Sequence, residues 1–114
     1  MYTQTLIDFL RERMDRLFLT WPVDILNSRL RRLGKQRVSF NHRGGEEHCF
    51  LRLHTISPRF MWFYWEEEQR FVCVTDYMQI KYGRRPVDCA LMVELVGVRP
   101  GELLPLDFVN INLV

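Results

Sequence analysis

The sequence predicts an α+β fold, with an N-terminal helical hairpin packed on an antiparallel β-sheet of five to seven strands. Three observations predict it. Apolar residues recur every three or four positions as far as Gly34, then change to a period of two. Breaks rich in Gly and Pro divide the second part into runs of strand length. The chain has 114 residues, 47% of them hydrophobic, which suits one compact core, so residues 1–114 are expected to form a single domain.

The first helix is expected over about 5–19. Leu6, Phe9, Leu10, Met14, Leu17 and Phe18 form its apolar stripe. Thr5 and Asp8 suit its start, because a hydroxyl and an acid complement the free N–H groups there. Trp21-Pro22 ends it, and Pro22 then opens a second helix over about 22–33. Val23, Leu26, Leu30 and Leu33 form the second stripe, closed by Gly34.

Strands follow from about residue 37. Arg37–Asn41 is short and is followed by the turn Gly44-Gly45. In Glu47–Thr55, Cys49, Leu51 and Leu53 alternate with His48, Phe50, Arg52 and His54. Arg59–Trp65 pairs back with Phe71–Thr75 across a Glu66–Gln69 tip, and Tyr77–Tyr82 reads as a further strand. Residues 90–98 admit two readings: a strand returning through Pro100-Gly101 to Leu103–Leu113, or the first helix of a helix-turn-helix. The hairpin is preferred, because Val109, Ile111 and Leu113 alternate with Asn110 and Asn112, and Pro105 would interrupt a recognition helix. The expected core is Leu6, Phe9, Leu10, Leu17, Leu26, Leu30, Leu33, Leu51, Leu53, Trp62, Val72 and Leu91.

Composition narrows the function classes. With 13% aromatic residues the chain is no solvated disordered segment. No uncharged apolar run reaches the ~18 residues of a membrane span, so no membrane partner is expected. Asp8, Arg11 and Glu12 stand where a signal peptide needs apolar residues. Three widely spaced cysteines, Cys49, Cys73 and Cys89, form no zinc or disulfide pattern and read as reduced, buried thiols of a cytoplasmic protein. No cofactor or metal is expected.

Two features stand out. The first is a window of twenty-one residues between Asp24 and Glu46 with no acid. It holds Arg29, Arg31, Arg32, Lys35, Arg37 and Arg43, and His42. Outside it ten Lys and Arg stand against fourteen Asp and Glu, so a chain of net charge +2 has a basic segment on an acidic body. Such a segment can track phosphates or dock an acidic protein surface; a solvated helix face would look the same. The second is Phe60-Met61-Trp62-Phe63-Tyr64-Trp65, which lacks polar alternation and asks for cover on both faces. Either the C-terminal hairpin or a second chain supplies that cover.

Catalytic patterns are sparse. His48 and His54 lie about 20 Å apart on an extended strand, too far to share a metal. No phosphate-cradling Gly loop or nucleophile elbow is present. One enzyme class survives, a metal-independent ribonuclease using His48, Arg52, His54 and Tyr64. The favoured expectation is non-enzymatic: a small protein-interaction module, of the kind viruses and phages use to inhibit or modulate a host machine. Its contact is expected at Phe60, Trp62, Tyr64 and Trp65, with a protein partner or a second copy of itself, as a dimer. Nucleic-acid binding through Arg29, Arg31, Arg32, Lys35, Arg37 and Arg43 is the main alternative.

Overall fold

The first strand, β1 (Tyr2–Thr5), runs straight into α1 (Leu6–Arg13). The Thr5 hydroxyl accepts the Asp8 N–H at 3.1 Å, which caps the helix. These elements belong to a computed structural model that describes residues 2–113. Leu6, Phe9 and Leu10 of α1 are buried, and the helix packs on β1, β9 (Val109–Leu113) and the tight turn at 106–108.

The helix stops well short of residue 19. The Asp15 carboxylate accepts the Leu17 N–H at 2.7 Å, which offers the backbone a turn in place of a further helical bond. A short 3-10 turn at Phe18–Thr20 follows. Phe18 takes the inward position, while Leu17, expected in the core, is 66% exposed. Helix α2 (Val23–Leu33) lies where expected and ends at Gly34, whose φ of 81° suits glycine. Leu26 and Leu30 are buried, but Leu33 is exposed at the helix end.

The strands form three antiparallel sheets, in place of one sheet of five to seven strands. The first has the order β1-β9-β2-β3, with β2 at Gln36–Phe40 and β3 at Glu46–Cys49. Val38, Cys49, Val109 and Ile111 face the core. The other face is polar: Ser39 donates to the Asn112 side chain at 3.1 Å, and Asn112 donates to Glu46 at 2.6 Å.

The second sheet has the order β4-β7-β8, from Leu51–His54, Met92–Leu95 and Leu104–Pro105. Cys49, Leu51 and Leu53 all point inward, as the alternation predicts. The continuous strand 47–55 is nevertheless divided at Phe50, since β3 pairs with β2 and β4 with β7. Helix α2 lies beside β4. Asn27 accepts the Leu53 N–H at 2.7 Å and donates to the Leu53 carbonyl at 3.0 Å. One side-chain amide thus occupies the free edge of β4 as a neighbouring strand would.

The third sheet pairs β5 (Trp62–Trp65) with β6 (Arg70–Cys73) across the expected tip. Helix α3 (Val74–Tyr82) follows at once, so the strand expected at 77–82 is helix. Val74, Tyr77, Met78 and Tyr82 have helical spacing, and Gly83 (φ 70°) ends the helix in the left-handed conformation. Residues 92–95 are strand, with no helix-turn-helix. The expected long hairpin is shortened: only Leu104 and Pro105 return along β7. Pro105 has no N–H to continue the ladder, and β9 crosses to the first sheet.

The helices therefore do not form a hairpin on one sheet. α1 covers the first sheet, α2 guards the edge of the second, and α3 backs the third. The buried residues of the first two sheets and of all three helices join in one cluster that includes Phe9, Leu30, Val38, Leu53, Met78, Met92 and Phe108. Phe63 of the third sheet packs against it, whereas Trp65, Val72 and Cys73 of that sheet are buried outside it. No helix among the described residues is long and apolar enough to cross a membrane.

Candidate functional site

Alternation along β5 separates its side chains into two sets. Phe63 and Trp65 turn toward α3, where their rings meet the Tyr77 ring edge-on at 5.0 and 4.9 Å. Trp65, a predicted contact residue, is therefore a packing residue, only 8% exposed. Trp62 and Tyr64 face outward and are 60% and 48% exposed. The antiparallel register sets Phe71 opposite Tyr64, with their rings 5.3 Å apart. Phe71 is 67% exposed, and Phe60, just before β5, is 72% exposed. Trp62 was expected in the core and is not there; α3 covers the other face of the hairpin instead. Phe71 went unnoticed in the sequence, although a tip at 66–69 already places it across from Tyr64. Glu66, Glu67 and Glu68 are exposed at the hairpin tip.

The basic window does not fold into one patch. Arg29 and Arg31 lie about 160° apart around α2. Arg29 stacks over the Trp21 ring at 4.8 Å, whereas Arg31 is on the side of Asn27 and β4. Arg37 is on the outer face of β2, 3.9 Å from Glu46. Arg43 is withdrawn into a fork on Glu102, at 2.8 and 3.3 Å, and stacks on Phe40. Arg29, Arg31, Arg32 and Lys35 have no ion-pair partner among the described residues.

Arg43 and Glu102 stand at one wall of a cleft of about 290 Å³. Met61, Phe63, Tyr77, Met78 and Leu103 are among the residues of its other walls. His42 lines it too, with its ring edge-on to Tyr82 at 4.9 Å and Phe108 at 5.3 Å. Burial, and then the Arg43 charge, push the His42 pKa down, against a smaller opposing pull from Glu102. The imidazole is therefore neutral near pH 7. Its Nδ1 is buried without a hydrogen-bond partner among the described residues. Burial also raises the Tyr82 phenol, and apart from the Arg43–Glu102 pair the cleft walls are largely apolar.

The four ribonuclease candidates are dispersed. His48 is on the outer face of the first sheet and Tyr64 is on the third. Arg52 and His54 share the outer face of the second sheet with Glu94, which only the strand register brings opposite Arg52. His54 Nε2 is 2.7 Å from Glu94 Oε1, and Arg52 is 3.9 Å from the same oxygen. Beside them Asn27, Arg31, Phe50, Arg52 and Val96 line a shallow concavity of about 350 Å³. All three cysteines are buried and unpaired, and burial raises the Cys49 and Cys89 thiols, which disfavours the reactive thiolate. No cluster of three metal-ligating side chains occurs among the described residues.

No protein-family model matches this chain, and no curated protein matches it either. The surface chemistry itself must carry the functional reading.

Proposed function

We propose that this chain is a non-enzymatic protein-interaction module that binds its partner through the outer face of the β5–β6 hairpin. The observation that carries this reading is the exposure of Phe60, Trp62, Tyr64 and Phe71 together. A strand pair with one face packed on its own helix and three large rings on the other has no folding reason for those rings. Their exposed area is on the order of 500 Å², at the upper end of what monomers tolerate and enough for the apolar centre of a standard interface. The rim is charged. Glu66, Glu67 and Glu68 at the tip call for a partner surface that is apolar at its centre and cationic at one side.

The test compares the wild-type chain with a Trp62→Ser/Phe71→Ser variant in affinity capture from the source proteome, with the retained protein identified and its affinity then measured directly. The reading expects a partner bound by the wild type and weakened at least tenfold by the variant, at unchanged thermal stability. Equal binding by both proteins overturns it.

A further inference from the structure

The concavity on the second sheet belongs neither to the aromatic hairpin nor to the His42 cleft. Its floor is Phe50, at the point where one extended run leaves the first sheet for the second. The ring is 38% exposed. Two guanidinium groups flank it, Arg31 from α2 and Arg52 from β4. The two hydrogen bonds between the Asn27 amide and the Leu53 backbone fix α2 against β4, and Arg31, one helical turn on, lines the same concavity as this ring.

The two cations differ in pairing. Arg31 has no ion-pair partner among the described residues, whereas Arg52 is loosely paired, 3.9 Å from a Glu94 oxygen that also lies 2.7 Å from His54. Both side chains are exposed, and two guanidiniums beside an open aromatic ring complement an anion attached to a planar apolar group. We propose that Arg31, Phe50 and Arg52 bind one nucleotide unit of a single-stranded nucleic acid. The base stacks on Phe50, and the adjoining phosphates take the two arginines.

A polymer fits better than an isolated phosphate. Arg32, exposed near the end of the same helix, and Lys35, exposed in the link between α2 and β2, follow in the acid-free window and offer further cations to a chain of phosphates. A single strand fits better than a duplex, because a paired base has no free face to offer Phe50.

The test is fluorescence anisotropy with a labelled oligothymidylate of about ten nucleotides. The competitors are the matching duplex, adenosine monophosphate, inorganic phosphate and a phosphotyrosine peptide. The single strand is expected to bind at low salt and to outcompete all four. Its affinity should fall with salt at a logarithmic slope of about −1.4 or steeper, the value for two phosphates on a single strand. Arg31→Ala/Arg52→Ala should weaken binding at least tenfold and flatten the slope. Phe50→Leu keeps apolar bulk but loses the ring face; it should weaken binding roughly 5- to 100-fold and leave the slope unchanged. Phe50→Trp should bind at least as tightly as wild type. Four results would overturn the proposal: no binding, no effect of Phe50→Leu, an Arg29→Ala loss as large as that of Arg31→Ala, or tighter binding of the duplex or phosphopeptide.

Discussion

Asn27 commits both ends of its amide to the backbone of Leu53, a residue that is itself almost fully buried. Removing that amide leaves an N–H and a carbonyl without partners in a place water reaches poorly. Asn27→Ala should therefore lower the unfolding free energy by about 1–3 kcal/mol in urea titrations, with Asn27→Asp intermediate because it keeps the acceptor and loses the donor. His42 sets a pH limit in the same local way. Its folded pKa lies below its unfolded value near 6.5, so the unfolded chain takes up the proton first as pH falls. The contribution of neutral His42 is complete above pH 6.5 and is lost as pH falls from there through the folded pKa. Melting curves from pH 8 to pH 5 should show this loss, and His42→Phe should flatten it. Neither role was legible in the sequence. Asn27 stands in a helix that reads as amphipathic without it, and His42 is one polar residue in a basic run.

At the level of elements, the β5–β6 hairpin is asymmetric, and its two faces should respond oppositely to mutation. Trp65→Ala opens the packing on Tyr77 and should cost about 3–5 kcal/mol. Trp62→Ser removes a ring that is mostly in solvent, so chemical denaturation should place it within about 0.5 kcal/mol of wild type. The alternation within this strand was readable in the sequence, as was its partner across the acidic tip. Which face would be covered was not, because the cover is α3, and residues 77–82 are rich in aromatic and branched side chains that favour strands in isolation. The spacing of Val74, Met78 and Tyr82 carried the helical signal, and tertiary packing on β5 decided for it. The end of α1 was hidden for a similar reason: the apolar stripe continues to Phe18, but one hydrogen bond from Asp15 ends the helix first. The basic window was legible as composition only. Its residues are neighbours in sequence and face different ways in space.

For the molecule as a whole, the aromatic face and the cations answer to salt with opposite signs. Two copies meeting through their hairpins bring two acidic tips onto one assembly, and added salt relieves that repulsion. Light scattering at high protein concentration should therefore show the average mass rising with salt, and Trp62→Ser/Phe71→Ser should abolish the rise. A mass that does not change with salt would remove self-pairing through this face. The order of the first sheet has a different consequence, one of timing. β1 and β2 touch only through β9, which lies between them. The strand made first must wait for one made about a hundred residues later, which at ribosomal speeds is about 5–20 seconds. Until then Tyr2–Thr5 has no strand to join, and the edge of β2 stays open to any extended chain nearby. Residues 109–113 thus act as the closing stone of an arch, and the risk of mispairing is concentrated in the interval before they arrive.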